Sequence, residues 1–212
     1  MKRAVLFCNG EISDLSYHKT LLKETDLIIA VDGGGNFCRE MDVVPEMLIG
    51  DFDSLNAQTK DYFEMRSVEI IPFPADKDYI DMVLGIEEAI RRNCDEILIL
   101  GAFGGKRADM FFGNLMALSL FDLPIIMKNE WSEARFLKAG KNLDLEGKIG
   151  DYVSLIPLSD HMITGKSTGL KYQLGSLQFH RGETRSISNE LMTEKASLSL
   201  KEGEAIVFLQ KR

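Results

Sequence analysis

The chain has 212 residues and is 45% hydrophobic, enough for one large core or two small ones. Its net charge of -8 argues against a duplex nucleic-acid binder, which needs a basic face, while a bound cation would still admit an anionic substrate. The 3 cysteines, Cys8, Cys38 and Cys94, have no CxxC spacing, which argues against a zinc site or disulfide framework and for a reducing, cytoplasmic setting.

The start, Met1-Lys2-Arg3-Ala4-Val5-Leu6-Phe7, stops at Asn9-Gly10 and Glu11 and reads as a first core strand rather than a signal segment. No apolar run approaches about 18 residues, so no membrane span is expected. Residues 4–8 predict a buried strand, 15–22 a short helix and 27–31 a second strand. That strand runs into Asp32-Gly33-Gly34-Gly35-Asn36. Glycines there permit close backbone approach, and a helix starting at them favours an anion; a plain strand-to-helix turn is the other reading.

Residues 47–49 predict a strand ending in Gly50-Asp51-Phe52-Asp53-Ser54. In an extended backbone Asp51 and Asp53 point the same way. Two carboxylates about 4 Å apart repel by roughly 4 kcal/mol at an effective dielectric near 20, so a proton, a basic group or a hard cation must offset them. Magnesium suits such a pair. Otherwise Asp51 opens a turn and Asp53 caps the next helix.

A helix over 57–65 and a strand over 68–73 follow. Then comes Asp76-Lys77-Asp78-Tyr79-Ile80-Asp81, opening a helix that ends near Arg92. Asp78 and Asp81, three apart, share one face of a helical first turn, as ligands or as caps. Lys77 either touches a phosphate or balances local acid. Residues 96–100 predict a strand that enters Gly101-Ala102-Phe103-Gly104-Gly105-Lys106-Arg107-Ala108-Asp109, with a helix to about 120. Arg107 has the planar fork that clamps phosphate oxygens. Residues 124–128 predict the last strand of an α/β half with a mostly parallel, Rossmann-like sheet covered on both faces.

From about residue 129 the texture changes. Short runs at 135–137, 143–145, 152–157, 170–174, 176–180, 196–200 and 205–209 predict an all-β sandwich, jelly-roll-like. The expected domains are 1–130 and 131–212. Ser186-Ile187-Ser188-Asn189-Glu190 is a polar stretch suited either to a heteroaromatic ligand edge or to a connecting loop.

The acidic turn, the Asp78/Asp81 pair and the Arg107/Asp109 turn all follow predicted strands and so share one sheet edge. Such an edge suits a Mg–nucleotide site. These pieces resemble the thiamine pyrophosphokinase family: Val31-Asp32-Gly33-Gly34, Gly50-Asp51-Phe52-Asp53-Ser54, Lys77-Asp78-Tyr79-Ile80-Asp81, residues 101–109, Gly150-Asp151-Tyr152-Val153-Ser154-Leu155, Thr168-Gly169-Leu170-Lys171-Tyr172 and Ser188-Asn189-Glu190. The resemblance implies transfer of pyrophosphate from ATP to the thiamine hydroxyl, in a homodimer with active sites at the subunit interface. It implies Mg²⁺ held by Asp51, Asp53, Asp78 and Asp81. It places ATP against Asp32, Gly33, Gly34, Asp51, Lys77, Gly104, Gly105 and Arg107, and thiamine against Ser188 and Asn189. Asp81, Arg107 and Asp109 would be catalytic. A Mg-dependent phosphotransferase or hydrolase on another small alcohol or nucleotide, and a non-catalytic thiamine-binding module, are the alternatives. The chain departs from the family pattern at Ile80, where Thr is usual, at Met110, where a polar residue is common, and by the added Lys106.

Overall fold

Unbroken apolar runs make strands that are buried on both faces, and such strands sit inside parallel sheets. The computed structural model describes residues 1–74, 76 and 78–212, so Lys77 lies outside the described residues. It divides into two units, Met1–Glu130 and Trp131–Arg212.

The first unit alternates β1 (Arg3–Phe7), α1 (Leu15–Thr20), β2 (Leu27–Val31), α2 (Gly34–Glu40), β3 (Met47–Gly50), α3 (Ala57–Glu64), β4 (Glu69–Pro72), α4 (Asp81–Arg91), β5 (Glu96–Leu100), α5 (Ala108–Ala117) and β6 (Ile125–Lys128). Its strands lie in the order β4-β3-β2-β1-β5-β6. Every pairing is parallel. The chain therefore works outward from β1 to β4, then crosses back to add β5 on the other side of β1. That reversal, between β1 and β5, is where open α/β sheets hold ligands.

The core of this unit includes Val5, Phe7, Ala30, Leu48, Phe63, Leu98 and Leu100. Fully burying one such side chain contributes about 1.5–3 kcal/mol. Helix α4 shows why it lies down on the sheet. Its buried Met82, Val83, Ile86 and Ala89 form one apolar stripe. Gly85 lets it close on Val31 and Leu6, whose side chains a Cβ would meet at 2.9 and 3.0 Å.

The second unit is antiparallel throughout. One sheet runs β12 (Asn189–Glu190), β9 (Tyr152–Pro157), β14 (Glu204–Gln210) and β7 (Ser132–Lys138). The other runs β11 (Gln178–Phe179), β10 (Met162–Thr168), β13 (Lys195–Glu202) and β8 (Asn142–Glu146). Alternating side chains of both sheets meet in one core that includes Leu155, Val207, Leu198 and Leu200.

Two expectations are corrected here. Residues 170–174 do not form a strand; Leu170 makes only an isolated bridge to Leu191. Besides β8, β13 pairs with β10, which the apolar pattern misses because Thr164, Gly165, Lys166, Ser167 and Thr168 carry no apolar alternation. Thr164 is fully buried in spite of its hydroxyl. Its Oγ1 donates to the Leu174 carbonyl at 2.8 Å and accepts from the Leu177 N–H at 3.0 Å, so the hydroxyl is satisfied.

Gly34 starts α2 directly over β1, and a Cβ there would overlap the Phe7 carbonyl oxygen. Backbone cannot move aside as a flexible side chain can. Gly34→Ala is expected to lower unfolding free energy by about 2 kcal/mol despite alanine's better helix propensity, read as a shifted urea midpoint.

Candidate active site

The loops after β1, β2, β3 and β5 converge on a cleft of about 840 Å³ at the β1/β5 reversal, with α4 and α5 contributing side chains. Its acidic wall begins at the end of β2. Asp32 adopts a left-handed backbone, with φ of 52°. Short polar residues tolerate that region better than most. The turn lets α2 begin at once, and the Asp32 N–H donates to the Ile49 carbonyl at 2.7 Å, tying it to the end of β3. Gly50, with φ of 144°, gives Asp32 its room, since a Cβ on Gly50 would lie 3.1 Å from that of Asp32.

Asp51 and Asp53 do come together, but not through an extended backbone. Phe52 between them has φ of 66°, so the segment is a turn. The Asp53 N–H donates to Asp51 Oδ1 at 3.1 Å, and the cap of the next helix is Asn56 rather than Asp53. One carboxylate oxygen from each of Asp32, Asp51 and Asp53 lies within 4.8 Å of the others.

Asp32 carries the strain of that grouping. Its Oδ2 accepts from the Ser54 hydroxyl, while its Oδ1 is buried with no hydrogen-bond partner among the described residues. Burial pushes its carboxyl above the ordinary value. The Ser54 hydrogen bond opposes this, and the charges of Asp53, Asp81 and Asp51 add to it. A buried orphan oxygen among three carboxylates fits a hard divalent cation, which prefers oxygen ligands and inverts the local sign of the field.

The other expected site residues divide into two groups. Asp81, Gly104, Gly105 and Arg107 line the same cleft. Asp81 is the first residue of α4, with Ile80 at the cap. Asp78 does not share a helical turn with it; it precedes the helix, is exposed and does not line the cleft. Gly33 and Gly34 do not line the cleft either. Gly33 is the cap of α2, where a Cβ would overlap the Asn9 side chain, so both glycines serve close packing.

Arg107 is clamped onto Asp109, with Nε to Oδ1 at 2.9 Å and a terminal nitrogen to Oδ2 at 2.6 Å. Arg107 holds the Asp109 carboxyl down at about 2. Both side chains are largely exposed. Asp109 lies outside the lining of the cleft.

Ser188 and Asn189 belong to the second unit. Ser188 is exposed, with φ of 63°. Asn189 is buried and its amide holds the 170–173 turn: Oδ1 accepts from Tyr172 N–H at 2.9 Å and Nδ2 donates to the Tyr172 carbonyl at 2.7 Å.

The sequence reading did not pick out residues 8–12, Phe37, Phe111 or Asn114, which also line the cleft. Their residue types are ordinary. Only their position after β1, and β1's place beside β5, marks them. Cys8 is chemically quiet there, since burial pushes its thiol up to about 12.

A parallel α/β unit with a cation-ready acidic cleft, followed by an antiparallel two-sheet unit, defines the class of this protein. Residues 18–126 match the family model described as thiamin pyrophosphokinase, catalytic domain, and residues 142–204 match the thiamin pyrophosphokinase vitamin B1 binding domain. The chain belongs to the thiamin pyrophosphokinase family. It is 29% identical over 188 residues to a thiamine pyrophosphokinase of Bacillus subtilis, covering 87% of each chain. It is 25% identical over 218 residues to thiamin pyrophosphokinase 1 of Caenorhabditis elegans, covering 96% of this chain and 86% of that one. The crystal structure of the thiamine pyrophosphokinase from Bacillus subtilis superposes with a TM-score of 0.87 at 28% identity, covering 99% of both chains. That from Geobacillus thermodenitrificans superposes at 0.85, also with 28% identity, covering 100% of this chain and 98% of that one.

The charge grouping has a measurable consequence in the absence of cation. A raised carboxyl means that the folded state keeps a proton the unfolded state has released. Stability of the metal-free protein therefore falls as pH rises from the ordinary aspartate range through Asp32's raised value. Asp32→Asn removes one charge and keeps a side chain suited to left-handed φ. It is expected to raise the metal-free melting temperature at neutral pH by about 2–4 °C, and to abolish the further rise that Mg²⁺ gives the wild type.

Proposed function

We propose that this chain transfers the pyrophosphoryl group of ATP to the hydroxyl of thiamine, giving thiamine diphosphate and AMP. The observation that carries this reading is the Asp32, Asp51 and Asp53 group at the sheet's reversal point, in a chain of this family. The first unit would be the Rossmann-like nucleotide half, and the jelly-roll-like second unit would be the thiamine half.

Asp32, Asp51 and Asp53 would hold Mg²⁺, with Asp81 on the same wall. The cation, when bound, supplies positive charge that neutralises phosphate oxygens. The remaining work falls to the chain. In the reaction, the thiamine oxygen bonds to the β-phosphorus, the bridge to the α-phosphorus breaks, and AMP leaves with the electron pair. Such transfers need positioning and charge stabilisation more than covalent help.

Arg107, at the mouth of the glycine turn, would exchange Asp109 for phosphate oxygens and stabilise the leaving group. Asp109 lies outside the lining of the cleft, which makes it a poor candidate to accept the proton. Asp81 is the cleft carboxylate we assign to accept the hydroxyl proton. Gly104 and Gly105 would admit ATP against backbone, and Lys106 would add a cation. Ser188 would meet thiamine, while Asn189 shapes the turn beside it. A homodimer in the cytoplasm completes the reading.

Purified protein with thiamine, ATP and Mg²⁺ should yield AMP and thiamine diphosphate in equal amounts by chromatography. ADP or free phosphate in their place would redirect the reading to another phosphotransferase or hydrolase. Asp51→Asn should lower kcat at least about 10³-fold, and Arg107→Ala about 10²- to 10³-fold, with unchanged melting temperatures for the latter.

A further inference from the structure

Glu11 is a charged side chain in the cleft that neither the acidic group nor the basic pair uses. It follows β1, at the reversal point, and its carboxylate takes part in no hydrogen bond or ion pair among the described residues. Its backbone is fixed. The Gly10 N–H donates to the Gly101 carbonyl and the Glu11 N–H to the Phe103 carbonyl at 3.0 Å, so the loops after β1 and β5 are zipped together. Gly104, with φ of 63°, lies against it; a Cβ there would be 2.7 Å from Glu11 Oε2. The turn thus presents bare backbone beside an open carboxylate.

We infer that Glu11 accepts hydrogen bonds from the ribose hydroxyls of the nucleotide, and so selects ribonucleotides over deoxyribonucleotides. This deepens the proposed function and rests on its reading of the cleft as a nucleotide site.

The cleft's own layout supports this placement. Its lining crosses the strand ends in the order β3, β2, β1, β5. Adjacent strands are about 4.8 Å apart, so the acidic group and the β5 turn are separated by roughly 10–14 Å. That is long enough for a nucleotide with its charged phosphates at Asp32, Asp51 and Asp53 and its sugar over β1. On the far side, beside Lys106 and Arg107, the side chains of Ile12, Met110 and Phe111 offer apolar surface that suits a base face. In that placement Glu11, between the two, faces the sugar. A carboxylate with free lone pairs accepts from two vicinal hydroxyls at once and repels a phosphate placed there instead. An acidic side chain on the ribose hydroxyls is also how other α/β nucleotide sites read this group.

The test is equilibrium binding of Mg·ATP, Mg·2′-deoxy-ATP and Mg·3′-deoxy-ATP to the wild type, Glu11→Gln and Glu11→Ala by titration calorimetry, with kcat/KM for each nucleotide alongside. The wild type should favour ATP over either deoxy form by roughly tenfold. Glu11→Ala should bring that ratio to about 1 by weakening ATP alone, and Glu11→Gln should fall between. Glu11 is exposed on a loop, so unchanged melting temperatures are expected for both variants. Equal binding of all three nucleotides by the wild type overturns the assignment and leaves the cleft a nucleotide site. So does an equal loss of all three in Glu11→Ala, or a ratio that survives the substitution. Binding of none of them by the wild type overturns the proposed function itself, and this assignment with it.

Discussion

The architecture depends on one unfavourable interaction held in place by many favourable ones. Three aspartates arrive at the cleft from two neighbouring strands, and one of them keeps a buried oxygen without a partner. At about 4 Å each pair repels by roughly 4 kcal/mol in a medium of effective dielectric near 20. An unsupported loop would relax away from that arrangement. Here the ends of β2 and β3 cannot separate, because their parallel pairing runs to Val31 opposite Ile49. Buried Leu48, Ile29 and Ala30 fix the strands below. The apolar core thus supplies the free energy that keeps the three carboxylates together. The left-handed Asp32 and Phe52 are the local form that constraint takes.

The opposite side of the cleft follows a different logic. Arg107 and Asp109 form a bidentate pair in nearly open water. Exposed pairs contribute little to stability, so exchanging Asp109 for a phosphate costs the fold almost nothing. One wall is rigid and charged at the expense of stability. The other is a movable cation kept in reserve by a carboxylate two residues away. In the proposed reaction this division would serve phosphate transfer: the fixed wall would set where the cation sits, and the movable arginine would follow charge as it develops.

Much of this was readable from sequence because parallel strands buried on both faces appear as unbroken apolar runs, as in 27–31, 47–49 and 96–100. The position of the acidic turn after such a run placed Asp51 and Asp53 together just past the end of β3. The geometry that joins them was not readable, since nothing in Phe52 announces a left-handed turn. Asp32 read as a companion of the acidic turn, and its buried orphan oxygen depends on Gly50 and Ser54, residues that meet it only after folding. Asp78 was misplaced by about one turn, because helix propensity continues upstream of Ile80 while the chain does not. Strand β10 was missed because, after Met162, its buried side chain is a threonine satisfied by distant carbonyl and amide groups. Glu11 was passed over as the end of an apolar run. Its significance comes from β5 lying beside β1, a fact of strand order that local pattern does not contain.

The three departures from the family pattern act on one cleft and in one direction. Ile80 sits at the cap of α4 and makes no side-chain cap hydrogen bond. A threonine there would satisfy one N–H of the first turn, worth about 1 kcal/mol, and would steady the helix start that carries Asp81. Met110 lines the cleft in place of a hydrogen-bonding side chain, and beside Phe111 it makes that wall apolar. Lys106 lines it too, adding a mobile cation to Arg107. At these positions the cleft therefore offers mobile charge and apolar surface rather than directional contacts. Neither a mobile cation nor an apolar surface imposes a hydrogen-bonding direction on what binds there. Discrimination then falls on the side chains that still present defined acceptors. Of these, Glu11 is the one whose backbone is pinned by the loop after β5.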